Sequence, residues 1–257
     1  MKSILLNPRT ILLYSFFLLI AEQSDVMAQP KMVHFRAWDK MEVTADLYAP
    51  NAATAPFIIL YHQANYSRGE FIEIAPKLNE LGFNCMAVDL RSGGVINNVE
   101  NKTYHLADSL KKETRYTDAY GDLRAAVSYV RKTYPGAKII LLGSSYSASL
   151  AIKMAGDYPT NIAGVVAYSP GEYFSKFGWA RDIIQQAASK AKCPIYITSA
   201  KSEEESWIKI YNAIPVSTKV KFIPNGNGQH GAKALWKVFP EHTEYWASLK
   251  KFLAQFK

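Results

Sequence analysis

The amino-acid sequence predicts an α/β fold with a mainly parallel central sheet and helices on both of its faces. Short apolar runs, typical of strands buried on both faces, alternate with longer segments whose apolar residues recur at helical spacing. Parallel strands need a crossover between them, usually a helix, so this alternation favours a parallel sheet. The 257 residues are 49% hydrophobic and 20% charged, which is typical of a globular protein and excludes collagen-like, coiled-coil and disordered chains.

Each element follows from its local pattern. The segment 32–48 contains two extended stretches around a turn at Asp39-Lys40. Strands are predicted at 57–61, 85–90, 138–142, 162–168, 194–199 and 219–223, and helices at 70–81, 119–134, 148–158 and 241–256. The polar segment 91–117 is too long for an ordinary connection, which predicts a functional loop over one edge of the sheet. No internal repeat or Pro/Gly-rich linker divides the series, so we expect one domain.

The N-terminus has the pattern of a secretory signal peptide. Lys2 and Arg9 precede an apolar run at 11–20, and the polar stretch that follows ends in Val26-Met27-Ala28. Cleavage after Ala28 would leave a signal peptide at 1–28 and an exported domain at 29–257, either periplasmic or secreted. The apolar run is about half of the roughly 20 residues that span a bilayer, so no stable membrane span is expected after cleavage. An uncleaved anchor is the alternative.

Charge and cysteine content favour neither a nucleic-acid partner nor a metal site. The net charge of +8 comes from 30 Lys and Arg against 22 Asp and Glu, but the basic residues are scattered, with nothing denser than Lys111-Lys112 or Lys250-Lys251. We interpret this charge as a solvated surface, since a nucleic-acid site would present a contiguous basic face. No CxxC pattern or Cys/His cluster suggests zinc, and Cys85 and Cys193 are expected in the core.

The strongest functional signal is a serine in a strand-to-helix turn. The sequence Gly143-Ser144-Ser145-Tyr146-Ser147 follows a predicted buried strand and opens a helix. This is the G-x-S-x-G pattern with Ser147 in the last place, and such a turn exposes the middle serine as a nucleophile. Small residues are needed on either side because the chains pass close together. The alternative is a simple helix cap by Ser144 or Ser145.

With this motif, the mature chain resembles the α/β-hydrolase family, especially its compact dienelactone-hydrolase-like and esterase-like members. The resemblance implies a mostly parallel sheet of about eight strands and the chain order nucleophile, acid, histidine. It implies that His230, in the Gly-rich loop 224–231 after the last strand, is the catalytic base. The same loop spells G-x-G-x-x-G, but too little chain follows it for a dinucleotide-binding βαβ unit.

The third member of the expected triad is an acid, for which three glutamates are candidates. Relatives often carry G-x-x-D after the preceding strand, and here Ala200-Lys201-Ser202-Glu203 aligns Glu203 with that aspartate. Glu204 and Glu172 are the alternatives, and a solvated acidic run at the start of a helix is the non-catalytic interpretation. Glutamate can orient the histidine, but its longer side chain requires a different loop geometry.

Backbone N–H groups should stabilise the oxyanion. The N–H of Tyr146 follows the nucleophile, and the resemblance suggests the N–H of Gln63 as the second donor. His62 is expected to form structural hydrogen bonds. Asp89 and Arg91, in a turn that resembles the family's Asp-x-Arg-x-x-Gly, are expected to brace loops.

Aromatic residues in loops above the sheet are candidates for the substrate-binding wall. We select Tyr66, Tyr104, Tyr173 and Trp179, with Tyr146 and Phe174 as further members, although packing against the core or rim would equally explain aromatics at these positions.

These assignments predict a serine hydrolase that cleaves a carboxylic ester of a small molecule through an acyl-enzyme, with no metal or organic cofactor. Activity should fall as His230 becomes protonated below about pH 6–7. A peptidase, a carbohydrate acetyl-esterase or a lactone hydrolase could use the same triad. An exported non-catalytic ligand-binding protein is the alternative from another class, because fold does not dictate function.

Overall fold

The central sheet has eight strands, and most of them run parallel. The computed structural model describes residues 29–257; the predicted signal peptide, residues 1–28, lies outside them. The sheet strands are β1 (Lys31–Arg36), β2 (Glu42–Tyr48), β3 (Phe57–Tyr61), β4 (Asn84–Val88), β7 (Ile139–Ser144), β8 (Gly164–Tyr168), β9 (Ile195–Thr198) and β10 (Val220–Phe222). Their order is β1-β2-β4-β3-β7-β8-β9-β10. The β1–β2 and β2–β4 pairs are antiparallel and the other pairs are parallel, which confirms the predicted α/β class.

Helices cover both faces of this sheet. They are α1 (Ile74–Glu80), α2 (Lys102–Ser109), α3 (Ala119–Thr133), α4 (Tyr146–Asp157), α5 (Ile183–Ala188), α6 (Glu204–Ala213) and α7 (His242–Leu253). One apolar cluster joins Ile59 and Leu141 of the sheet to α3, α4, α5 and α6. The other joins Ile58 and Leu142 to α1 and α7. Successive strand residues therefore contribute to opposite cores, which is why β3 and the first four residues of β7 are apolar.

The structure differs from the sequence-based expectation in the segment 91–117. This segment is not a plain loop, since it contains a short hairpin of β5 (Val95–Ile96) and β6 (Val99–Glu100) and then helix α2. The Asn101 side chain caps α2 by accepting the Tyr104 N–H at 2.8 Å, and its amide donates to the Leu90 carbonyl at 2.9 Å. These elements are short and polar, so their sequence carries little periodicity, and long-range hydrogen bonds hold them in place.

A smaller difference affects the predicted helix 70–81. It divides into a 3₁₀ turn at Arg68–Phe71 and helix α1. The cysteines lie in the core as expected, since Cys85 and Cys193 are both buried and unbridged. Within residues 29–257, no helix combines the length and apolar character needed to cross a membrane.

The carboxyl ends of the parallel strands position the site. Loops that follow β3, β7, β8, β9 and β10 emerge at the same edge of the sheet, because these strands run in one direction. In open α/β sheets this edge is where ligands bind.

Candidate active site

The turn after β7 holds Ser145 in a strained conformation. Its φ of 60° and ψ of −122° lie in a region that residues other than glycine rarely adopt, at a cost of about 1–3 kcal/mol. The Ser145 N–H donates to the Tyr168 carbonyl of β8 at 2.7 Å, which fixes the turn to the sheet. A Cβ at Gly143 would lie 2.5 Å from the Ala148 backbone, so only glycine permits this close approach of strand and helix.

Ser147 occupies the last position of the motif, where glycine is usual, and its hydroxyl strengthens the turn. The oxygen accepts the Ser144 N–H at 2.9 Å, and the hydroxyl donates to the Tyr61 carbonyl of β3 at 2.7 Å. The side chain therefore links the turn to the neighbouring strand through groups that would otherwise be buried without partners.

Glu203 and His230 meet across two loops. The Nδ1 atom of His230 lies 2.7 Å from Oε1 of Glu203. The Lys201 N–H donates to the Asn227 carbonyl at 2.8 Å, which joins the loop after β9 to the loop after β10. Burial alone would raise the pKa of Glu203, but hydrogen bonds from His230 and Ser169 outweigh it and lower the pKa below its usual value. The carboxylate is thus held in its charged form beside the imidazole.

The two alternative acids have other partners. Oε1 of Glu204 lies 2.6 Å from the Lys221 ammonium on the surface. Glu172 accepts the N–H groups of Ile184 and Gln185 at 3.1 and 2.8 Å and so caps helix α5. Of the three glutamates, Glu203 is the one that the structure brings to His230.

The loop of His230 packs directly against the turn of Ser145. The Ala232 N–H donates to Oγ of Ser144 at 2.8 Å. Ala232 lies two residues after His230, and Ser144 directly precedes Ser145. Gly231 has a φ of 76°, and a Cβ there would collide with Oε1 of Gln63 and lie 2.5 Å from Oγ of Ser144. Glycine is therefore required where the loops after β3, β7 and β10 converge.

Ser169 connects the same loops from the β8 side, a role that no local sequence pattern indicated. Its φ of 55° is unusual for a non-glycine residue, and its N–H donates to the Thr198 carbonyl at 2.7 Å. Its hydroxyl accepts the Gly231 N–H at 2.9 Å. The Ser169 carbonyl accepts the Tyr173 hydroxyl at 2.9 Å.

Glu70 is a second buried carboxylate at the site, and sequence reasoning missed it. It is fully buried, Oε1 accepts the Ser144 hydroxyl at 2.7 Å, and Oε2 accepts the Gln63 N–H at 2.8 Å. Burial raises the pKa of Glu70 to about 7, with hydrogen bonds from Ser144 and Gln63 acting in the opposite direction. In the sequence, Glu70 is one polar residue at the start of a segment with helical spacing, a pattern that predicts a solvated side chain.

The predicted oxyanion donors differ in their availability. Tyr146 is the first residue of α4, where a backbone N–H has no partner within the helix. The Gln63 N–H is donated to Glu70, so its use by an oxyanion would require that bond to be given up. Next to it, the Ala64 N–H donates to no protein acceptor within residues 29–257.

His62 and the charged residues after β4 brace the surrounding loops. His62 is fully buried; its Nδ1 bonds the Gln63 carbonyl at 2.7 Å, and its Nε2 accepts the Leu90 N–H at 2.9 Å. Burial lowers the pKa of His62 to about 4, so the ring is neutral. Asp89 pairs with Arg68 at 2.7 Å, and Arg91 pairs with Asp39 and Asp122, both at 2.7 Å.

The four aromatic wall candidates lie in different places. Tyr173 lies close to Ser145. Burial raises the pKa of Tyr173 to about 12, and the Ser145 hydroxyl has a smaller effect in the opposite direction. Tyr66 stacks on Trp236 with ring centroids 6.4 Å apart, in the loop that contains Gln63.

The other two candidates have no such connection to the site. Tyr104 is in α2, with its ring edge-on to His105. Trp179 packs on Phe174 and on Lys153, two turns along α4 from Ser145. Hydrogen bonds and ring contacts within residues 29–257 join neither Tyr104 nor Trp179 to Ser145, His230 or Glu203.

No arrangement of three or more His, Cys, Asp or Glu side chains suited to a metal ion occurs within the part of the chain that the structure describes.

The mainly parallel sheet and the strained serine turn at its carboxyl edge define an α/β hydrolase. Residues 52–206, more than half of the chain, match the model of the serine aminopeptidase family S33, and the chain belongs to this hydrolase family. The resemblance noted in the sequence is thereby confirmed. No curated protein sequence matches the chain at a significant level.

Solved structures with the same fold include esterases and a peptidase. An esterase of Pyrococcus furiosus is 18% identical, with a TM-score of 0.69 over 89% of this chain and 93% of its own. A dienelactone hydrolase of Anabaena variabilis is 14% identical, with a TM-score of 0.67 over 89% of this chain and 99% of its own. An acylaminoacyl peptidase of Pyrococcus horikoshii is 14% identical, with a TM-score of 0.66 over 90% of this chain and 42% of its own. At these identities the similarity shows the fold alone.

Proposed function

We propose that this hydrolase is a serine carboxylesterase with Ser145 as nucleophile, His230 as base and Glu203 as the acid that orients the base. The observation that carries the proposal is the 2.7 Å contact between His230 and Glu203, on a loop that packs against the strained Ser145 turn. A partly buried, ionised carboxylate on Nδ1 fixes the tautomer that leaves Nε2 free to take a proton.

The reaction follows from these roles. Oγ of Ser145 forms a bond to the acyl carbon while its proton passes to Nε2 of His230. The tetrahedral intermediate collapses, the ester C–O bond breaks, and His230 returns the proton to the leaving alcohol. Water then attacks the acyl-enzyme with His230 again as base, which releases the carboxylic acid and restores Ser145.

The oxyanion needs two N–H donors at the carbonyl oxygen. We assign one to Tyr146. For the other, the Ala64 N–H is favoured over that of Gln63, because Glu70 already accepts the Gln63 N–H.

Small esters are the preferred substrates because little chain is available to cover the site. The connection from β8 to β9 contains a 3₁₀ turn at Ser175–Phe177 and the six-residue helix α5, which is less than a large lid of the lipase type would need. Peptide bonds are the second candidate class, because the matched family model describes a serine aminopeptidase.

Active-site labelling tests the proposal. A fluorophosphonate should label the purified domain, residues 29–257, stoichiometrically, and mass spectrometry should locate the adduct on Ser145. Ser145→Ala should abolish labelling and His230→Ala should slow it by roughly 10²–10⁴-fold. A folded wild-type protein that is not labelled would contradict the triad and favour the ligand-binding alternative.

Comparison of 4-nitrophenyl acetate with an aminoacyl 4-nitroanilide separates the two substrate classes. Both substrates release a chromogenic product, so the same assay reports ester and amide cleavage. Preferential turnover of the ester is expected; faster turnover of the anilide would assign a peptidase.

The predicted signal peptide gives a proposal for location. We infer export with cleavage after Ala28, on the sequence pattern alone. Expression of the full chain in a bacterial host should give an exported protein that begins at Gln29, which N-terminal sequencing checks; a full-length, membrane-bound product would favour the uncleaved anchor.

A further inference from the structure

Glu70 occupies a position between catalytic loops that the proposed mechanism does not explain. Its side chain is fully buried in the 3₁₀ turn Arg68–Phe71. Each carboxylate oxygen accepts one hydrogen bond from a different loop: Oε1 from the Ser144 hydroxyl at 2.7 Å, and Oε2 from the Gln63 N–H at 2.8 Å.

The connection continues through Ser144 into the base loop. The Ser144 hydroxyl donates a hydrogen bond to Glu70, and its oxygen accepts one from the Ala232 N–H at 2.8 Å. The backbone carbonyl of Glu70 also accepts the Trp236 indole N–H at 2.9 Å, a few residues further along the same chain segment. One residue thus contacts the loop after β3, the nucleophile turn and the segment that follows His230.

Packing alone does not account for a carboxylate at this position. Removing a carboxylate from water is costly unless hydrogen bonds compensate, and an apolar side chain of similar size would avoid that cost. Hydrogen bonds to a charged group are stronger than those between neutral groups, so the bonds from Ser144 and Gln63 can hold the carboxylate in place.

The residues that Glu70 reaches, directly or through Ser144, lie one or two positions from the groups of the proposed mechanism. Ser144 precedes Ser145, and Gln63 precedes Ala64, whose N–H is the favoured oxyanion donor. Ala232, which bonds Ser144, follows His230 by two positions. Errors of about 1 Å in such placements can cost roughly 10²-fold in rate.

We propose that Glu70 is a positioning residue that sets the relative placement of nucleophile, oxyanion donor and base by hydrogen-bonding the loops that carry them. This role rests on the proposed function and adds to it. Glu70 touches no reacting atom; it acts through Ser144 and Gln63.

Kinetics of 4-nitrophenyl acetate hydrolysis at about pH 8 test the role. Glu70→Ala should lower kcat by about 10–100-fold with KM changed less than about threefold, because misplaced loops weaken transition-state contacts more than substrate binding. Glu70→Gln should recover most of the lost kcat, because its amide oxygen can accept the Gln63 N–H and its amide N–H can donate to Oγ of Ser144.

Two further variants separate positioning from general destabilisation. Asp122→Asn removes another fully buried carboxylate, one whose side-chain hydrogen bonds go to Arg91 and to none of the loops of Ser145, Gln63 and His230. It should lower the melting temperature without a matching fall in kcat. Ser144→Ala breaks the same connection as Glu70→Ala, so the two effects on kcat should be clearly non-additive in the double variant.

The outcomes separate this role from the proposed function. Stoichiometric fluorophosphonate labelling of wild type, with Glu70→Ala and Ser144→Ala labelled more slowly, supports the role. If wild type is labelled but Glu70→Ala keeps its kcat and labelling rate, or if Asp122→Asn loses as much kcat, the positioning role is overturned and the triad stands. If wild type is neither labelled nor active, the proposed function fails and this role fails with it. If Glu70→Ala does not fold, Ser144→Ala and Glu70→Gln decide.

Discussion

At the scale of single residues, two glutamates near Ser145 have opposite electrostatic environments. Against its partial burial, the hydrogen bond with His230 lowers the pKa of Glu203, whereas burial raises the pKa of Glu70 to about 7. Carboxylates whose pKa values diverge in one site commonly have different roles. Here the charged one faces the imidazole, and the other lies among backbone and hydroxyl donors.

Adjacent glutamates give a matched test of the acid. Glu203→Gln should lower kcat/KM by roughly 10²–10⁴-fold, because a neutral amide neither stabilises the imidazolium nor reliably fixes its tautomer. Glu204→Gln, which breaks only a surface pair with Lys221, should leave kcat/KM within about twofold of wild type. Steady-state kinetics on one ester measure both, and equal losses in the two variants would argue against the triad.

The raised pKa of Glu70 predicts a pH-dependent stability. Because burial raises its pKa from 4.5 to about 7, the folded state binds this proton more tightly than the unfolded state does. The resulting contribution is present below about pH 4.5 and is lost as the pH rises through about 7, which amounts to about 3 kcal/mol.

Glu70→Gln cannot titrate and provides the control. Urea denaturation should show wild type losing about 3 kcal/mol relative to this variant between about pH 4.5 and pH 8. His230 and Lys233 act to lower the pKa of Glu70, and both are present in the two proteins, so their effects largely cancel in the comparison. Parallel pH curves for the two proteins would mean that Glu70 stays ionised throughout.

At the scale of elements, the junction of β7 and α4 combines a steric requirement with a hydrogen-bonding one. Gly143 permits the close approach of strand and helix, and the Ser147 hydroxyl connects the turn to β3. The strain at Ser145 persists because both neighbours hold the turn in place.

Removal of the Ser147 hydroxyl should weaken this junction. Ser147→Ala leaves the Ser144 N–H without its hydrogen-bond partner, at an expected cost of about 1–3 kcal/mol in the free energy of unfolding. Ser128→Ala, at an exposed position in α3, should change it by less than about 0.5 kcal/mol. Denaturant unfolding of both variants checks this, and equal effects would mean that the hydroxyl does not support the turn.

At the scale of the whole molecule, an arginine joins elements that are distant in sequence. Arg91 pairs with Asp39 in the β1–β2 turn and with Asp122 in α3. Asp122 is fully buried, and burial raises its pKa against the opposing effect of Arg91. The arginine therefore ties the antiparallel edge of the sheet to a helix on one face.

Arg91→Met should destabilise the fold by about 3–5 kcal/mol near pH 8, because it leaves the Asp122 carboxylate buried without a counter-charge. The loss should be smaller near pH 5, where an unpaired Asp122 can take up a proton and become neutral. Arg115→Met removes an exposed pair with Asp118 and should have little effect. Thermal unfolding at both pH values measures the difference, and a loss that grows towards low pH would contradict this explanation.

Local patterns were sufficient for most of the fold and for part of the candidate site. Short apolar runs that alternate with segments of helical spacing predicted the parallel sheet and most of the helices that cover it. Each of these patterns lies within one element, so it can be recognised from the sequence. One exception is the segment 91–117, whose hairpin and α2 are held by contacts such as that of Asn101 with Leu90. Helices α5 and α6 are others, since no helix was predicted at either place. Ser145 and His230 could be identified from the sequence because the glycines and small residues around them indicate tight turns of the backbone.

Contacts between distant segments had to come from the tertiary structure. The sequence favours Glu203 as the acid and leaves Glu204 and Glu172 as alternatives, and only the folded chain shows which one lies beside His230. Glu70 meets Ser144 across 74 positions, and no local pattern encodes that contact.

The sequence by itself thus determined the class of fold, the serine turn and the histidine loop, because these depend on periodicity and on backbone geometry that neighbouring residues impose. Only the tertiary structure decided which carboxylate faces the imidazole and which N–H groups are already engaged. Hydrogen bonds of this kind depend on distances of a few tenths of an ångström between loops, which are set when the whole sheet and both of its helical layers pack together.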